Sequence, residues 1–298
     1  MANSSIQQFG GDWTTRKLEN VRKYLVAYAT IMRKYNFQFS YIDAFAGTGY
    51  RELKTDDSKH ELMFPEFLEQ ETEAFHDGSA KIALQVEPRF KEYVFVERNP
   101  KKIAELEKLK VEFPDKAKDI TILNEDANTY IQRICNKSWG WNRAVLFLDP
   151  FGMEVTWDTI EAIAKTQAID LWYLFPLSMG VNRMLTKNGE IPPEWRNKLD
   201  ALFGCTDWYD AFYKTEKTQG LLFDDERTVK TGDHKQIADF FVKRLKTIFA
   251  GVADNPLPLY NSKNCPLYLL CFAAGNPKGS TTAIKIAQDI LRRNLYGS

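Results

Sequence analysis

The chain has 298 residues, 44% of them hydrophobic and 27% charged, with 40 basic residues balanced by 40 acidic ones. That length supports a sizeable core, as one α/β domain with insertions or as two domains. A formal net charge of zero excludes the broad basic footprint of a bulk nucleic-acid binder and leaves room only for a local basic groove.

Residues 1 to about 10 are polar without periodicity and read as a loose tail. A helix is predicted over 14–35, where Leu18, Val21, Leu25, Tyr28 and Met32 recur at helical spacing. Residues 40–45 are apolar apart from one acid, which suits a buried parallel strand. Gly47 and Gly49 follow and turn the chain with no Cβ in the way. A carboxylate at Asp43 would repel a pyrophosphate in such a turn. It suits a ligand with a cationic end, such as the amino group of S-adenosylmethionine. The plain alternative is an ordinary strand-to-helix turn with an incidental acid, because short glycine motifs recur by chance.

In a simple dinucleotide fold the helix follows the first turn at once. Here the polar, acidic stretch 51–78 intervenes and reads as an inserted flap beside the ligand or as a solvent-exposed elaboration. The delayed helix is expected over 80–86. Residues 93–97, Tyr-Val-Phe-Val-Glu, form a β-branched and aromatic strand ending on Glu97, placed to accept hydrogen bonds from a ribose diol. A helix from Pro100 to Val111 and a third strand over 119–123 follow. Asp126 suits either an adenine amino group or the N-cap of a helix over Ala127–Cys135; the two roles are compatible.

Residues 144–148 are continuously apolar, as in a central parallel strand, and run into Asp149-Pro150-Phe151-Gly152. Pro150 holds Asp149 out of helical geometry. A carboxylate, the Pro150 carbonyl and the Phe151 ring in one cleft would hold an exocyclic amine and stack its planar ring. A fifth strand is predicted over 169–175 and a helical segment over 177–186. Residues 187–230 break the α/β rhythm with Pro192-Pro193, the aromatics Trp208, Tyr209 and Phe212, and the run Asp224-Asp225-Glu226. They read as a substrate or partner insertion whose aromatics form local core or a stacking platform. A helix over 237–249, a hairpin from 257–260 to 267–273, and a helix over 281–295 complete the chain.

No apolar run reaches transmembrane length and no basic-apolar signal opens the chain, so no membrane association and a cytoplasmic location are expected. The four cysteines form no Cys-x-x-Cys pair and the three histidines lack ligand spacing, so no metal is expected.

The acids Asp43, Glu97, Asp126 and Asp149 close successive strands, and in an open α/β sheet those ends share one crevice. This pattern resembles the class I S-adenosylmethionine-dependent methyltransferases. Tyr41-Ile-Asp-Ala-Phe-Ala-Gly-Thr-Gly49 resembles their first motif, and Asp149-Pro150-Phe151-Gly152 is similar to the Asp-Pro-Pro-Tyr motif of base amino-methyltransferases, departing in its third and fourth residues. Together with Asp77-Gly-Ser-Ala and Ala274-Gly-Asn-Pro-Lys-Gly279, the chain resembles the three-Cys-motif partner (TcmP) family over nearly its whole length.

The resemblance implies a single Rossmann-like domain over 1–298, with a mostly parallel sheet, a closing antiparallel hairpin and flanking helices. It implies S-adenosylmethionine as cofactor, bound by Asp43, Ala44, Phe45, Gly47, Gly49, Glu97, Asp126 and Ala127. Asp149, Pro150 and Phe151 would act on the acceptor, an amino group of a nucleic-acid base. The alternative is a non-catalytic nucleotide- or donor-binding partner of a separate cysteine-rich protein. A nicotinamide-dependent dehydrogenase fits less well, since Asp43 lies in the turn and the third glycine is missing.

Overall fold

The structure, a computed structural model, describes residues 12–46, 78–150, 152–219, 224–261 and 264–293. The expected tail, Gly47, Gly49, the 51–77 part of the flap and Phe151 lie outside the described residues.

The chain opens with α1 (Asp12–Lys34), β1 (Gln38–Asp43), α2 (78–85), β2 (Glu92–Glu97), α3 (Pro100–Glu112) and β3 (Ile120–Asn124). It continues with α4 (Ala127–Cys135), β4 (Asn142–Leu148), α5 (Trp157–Lys165) and β5 (Ile169–Phe175). After a π-helical turn (Leu177–Asn182) come α6 (Pro193–Phe203), α7 (Trp208–Phe212), β6 (Tyr213–Gln219) and β7 (Asp224–Lys230). The last elements are α8 (His234–Lys246), β8 (Gly251–Val252), β9 (Leu257–Tyr260), β10 (Pro266–Ala274) and α9 (Ser280–Arg293).

Five parallel strands run in the order β3-β2-β1-β4-β5. β10 joins antiparallel to β5 and pairs in turn with β8 and β9, which gives the expected closing hairpin. All seven residues of β5 are buried, as befits a strand covered on both faces. Alternation along the strands divides the core into two layers. Ile42, Leu146 and Leu171 pack with Ile131 of α4, Ile160 of α5 and Phe241 of α8. Tyr41, Phe95, Phe147 and Trp172 pack with Tyr24 of α1, Leu84 of α2 and Leu291 of α9.

Local chemistry sets the helix starts. Asp126 caps α4 through Thr129 N, and Asp233 with Gln236 forms a capping box on α8. Helix α5 is absent from the expectations, although Trp157, Ile160, Ile163 and Ala164 are buried at helical spacing. The 187–230 stretch holds α6, α7 and the β6–β7 hairpin, which stands apart from the main sheet. Trp208 and Phe212 there are wholly buried, with Phe212 edge-on to Phe203 at 6.0 Å. Those aromatics are core, not an exposed stacking platform.

Candidate active site

Asp43 ends β1, Glu97 ends β2 and Asp149 follows the last residue of β4. These are three neighbouring parallel strands, with β1 in the middle. Their register pairs Asp43 with Phe95 on one side and Phe147 on the other. Glu97 and Asp149 therefore each stand two residues beyond the partner of Asp43. Strand spacing of about 5 Å places the three carboxyls within roughly 10 Å across the sheet. The order reverses between β1 and β4, the switch point where doubly wound sheets open a crevice.

The turn after β1 is tied across this point. Ala44 N donates to Phe147 O at 3.2 Å and Ala46 N to Val96 O at 3.0 Å. Ala44 and Phe45 are both buried, and Phe45 belongs to the core on the α4–α5 side.

Asp43 is completely inaccessible. Ser79 Oγ of α2 donates to its Oδ2 at 2.9 Å, Phe45 N to its Oδ1 at 3.4 Å, and Tyr41 hydroxyl to its Oδ2 at 3.5 Å. Burial nevertheless pushes its carboxyl up to about 7, and the charge of nearby Asp149 adds to that against the opposing hydrogen bonds. Ser79 is a partner that sequence reading passed over, although it lies in the quoted Asp77-Gly-Ser-Ala.

Glu97 is 4% exposed. Its Oε1 accepts from Asn99 N at 2.7 Å, while its Oε2 is buried without a protein donor. Burial raises its pKa first of all, with the Asn99 and Arg98 amides opposing. Asn124 Nδ2 donates to the carbonyls of Glu97 and Arg98 at 3.0 and 2.9 Å, fixing the turn that carries this acid.

Asp126 fulfils the cap: its Oδ1 accepts from Thr129 N at 3.0 Å and Thr129 Oγ1 at 3.2 Å. Arg98 reaches its Oδ2 at 3.4 Å, as an exposed pair of small energetic weight. Ala127, the next residue, is buried.

Asp149 and Pro150 are buried at the end of β4. The π-helical turn packs beside the loop that follows, since a Cβ on Gly180 would meet Met153 Cγ at 2.7 Å. Tyr268 of β10 is buried near enough to Asp149 that its phenol is raised, by burial first and by that carboxylate second. Sequence reading did not single out Tyr268. Nothing local in a strand tells which residue faces an acid on another strand.

Among the described residues no cluster of His, Cys, Asp and Glu has the makings of a metal centre, and no helix is long and apolar enough to cross a membrane. A cavity of 170 Å³ lined by Ala164, Gln167, Thr247, Phe249, Gly275 and Pro277 lies away from the carboxylates and contains no titratable side chain.

No protein-family model matches the chain, and no curated protein matches it. Among solved structures, a Legionella pneumophila protein is 13% identical over 95% of this chain and 92% of its own, with a TM-score of 0.44. A putative methylase from Haemophilus influenzae is 11% identical, covering 74% of this chain and all (100%) of its own, with a TM-score of 0.32. The glycopeptide N-methyltransferase MtfA, complexed with S-adenosyl-L-homocysteine, is 10% identical over 83% of this chain and 89% of its own, with a TM-score of 0.32. Likenesses this loose do not establish kinship. The strand order defines the class: a Rossmann-like α/β fold with a mostly parallel sheet and an antiparallel closing strand.

Proposed function

We propose that this chain is an S-adenosylmethionine-dependent methyltransferase acting on an amino group of a nucleic-acid base. The observation that carries the reading is Glu97 Oε2, a buried acceptor without a donor at the end of β2, the strand beside β1, on the same sheet edge as two further buried carboxyls. A buried acceptor left open costs free energy unless a ligand supplies the hydrogen. A ribose diol offers two. The buried Asp43 carboxyl suits a cationic amino group, and the same set of acids would repel a pyrophosphate. Asp126 and Ala127, at the start of α4, fall to the adenine side. S-adenosylmethionine would supply a methyl group already activated on a sulfonium.

The residues then have positioning work. Asp149 and the Pro150 carbonyl would accept hydrogen bonds from the acceptor amine and aim its lone pair at the methyl carbon. That transfer would make a carbon–nitrogen bond at the expense of the carbon–sulfur bond, whose electron pair would stay on sulfur. The amine proton leaves to Asp149 or to water. The motifs shared with the three-Cys-motif partner family support placing the chain there, with a separate cysteine-rich protein as partner.

Tritiated methyl donor, incubated with the protein and separate RNA, DNA and protein fractions, tests the reaction. Label should enter a nucleic-acid fraction. Asp149→Ala should abolish that transfer and largely spare donor binding. Loss of both, or of neither, contradicts this division of roles.

A further inference from the structure

At the opposite edge of the sheet, β1 and β4 begin side by side, with Gln38 paired to Asn142 and Phe39 to Arg143. Strands of six and seven residues put this edge about 20 Å from the carboxylates. The segments leading into the two strands read Arg-Lys-Tyr-Asn-Phe-Gln-Phe (33–39) and Asn-Lys-Ser-Trp-Gly-Trp-Asn-Arg (136–143). They hold four cations, five aromatics and no carboxylate, in a chain whose acids and bases otherwise balance at 40 each.

Two of the five aromatics are displayed, while Phe39 is buried and Phe37 and Trp139 are half-buried. Trp141 is 74% exposed and Tyr35 61%. The Trp141 ring lies 5.7 Å from Phe37, the Arg143 guanidinium sits 4.6 Å over the Phe37 ring, and Lys34 Nζ approaches Tyr35 at 5.9 Å. None of the four cations has an ion-pair partner among the described residues. Of the carboxylates on adjoining strands, Glu92 accepts from Ser40, and buried Asp170 accepts from Tyr24 and Gly275 N and also feels the positive charge of Arg143.

Two exposed rings, Tyr35 and Trp141, set among the exposed cations Arg33, Lys34 and Lys137 match a ligand with stackable faces and a repeating negative charge. We propose that this edge binds single-stranded nucleic acid, its bases stacking on Trp141 and Tyr35 and its phosphates meeting Lys34 and Lys137. An acidic peptide would satisfy the cations and leave the rings unused. A second copy of the chain would bring like charge against like.

The proposal stands on this surface and does not depend on the methyl-donor reading. It is tested on the full chain with fluorescein-labelled oligo-U and oligo-dT of about 12 nucleotides, read by anisotropy without methyl donor. Saturable binding is expected, weakening between about 50 and 200 mM salt. Trp141→Ala should weaken it about tenfold or more, a loss in keeping with one stacked base. Lys137→Glu should weaken it and flatten the salt dependence. Both positions are exposed, so thermal unfolding of each variant should match that of the parent. Absence of oligonucleotide binding overturns the proposal, as does binding that both variants leave unchanged. Displacement of the oligonucleotide by polyglutamate at equal charge would assign the edge to an acidic peptide and overturn it too.

Discussion

Asp43 is fully enclosed, and that burial pushes its carboxyl up to about 7, out of the usual carboxylate range. Between about pH 4 and pH 7 the folded state therefore holds a proton that the unfolded chain has released. Stability falls as pH rises across that window, and the penalty is complete above the folded value. Asp43→Asn removes the penalty. The stability of this variant relative to the parent, from urea unfolding, should grow between pH 4 and 8 by up to roughly 4 kcal/mol and then level off. A difference that stays constant with pH would show that Asp43 ionises as an ordinary acid. A ligand ammonium would reverse the preference by stabilising the carboxylate. Donor binding near pH 7 should then release a proton, seen as a heat that varies with the ionisation enthalpy of the buffer. Asp170, also buried and raised to about 6, belongs to the fold: Tyr24 hydroxyl donates to it at 2.9 Å and Gly275 N at 3.0 Å.

At the scale of elements, that contact joins α1, the start of β5 and the turn beyond β10. Gly275 is required there because an added Cβ would sit 2.3 Å from the Ile169 carbonyl oxygen, which is backbone and cannot swing aside. Gly275→Ala should lower stability by about 1–3 kcal/mol, read as an earlier urea midpoint at unchanged slope. An unchanged midpoint would mean that the turn relaxes freely. The strands were legible in the sequence because apolar runs such as 144–148 and 171–175 end on an acid or a proline. Helix α5 was not, although its buried residues keep helical spacing: nine residues between two strands give a short pattern, and the Asp-Pro turn before it dominates the stretch. The π-helical turn after Pro176 read only as a helix, since hydrophobic period does not separate i+4 from i+5 bonding.

Across the whole molecule, the two ends of the parallel strands differ in chemistry. One edge gathers Asp43, Glu97 and Asp149; the other shows rings and cations. The acids could be read from sequence because each closes a strand and a parallel sheet brings those ends together. The partners Ser79 and Tyr268 were not legible, because tertiary packing sets them beside the acids. The exposure of Trp141 is likewise a property of the assembled sheet. Calorimetric titration of the full chain with S-adenosylmethionine near pH 7 tests the carboxylate edge most directly. Saturable heat for one site is the expected result, with Glu97→Ala weakening it about tenfold to hundredfold through loss of hydrogen bonds to a charged acceptor. No heat and no thermal shift with either the donor or its demethylated product would contradict it.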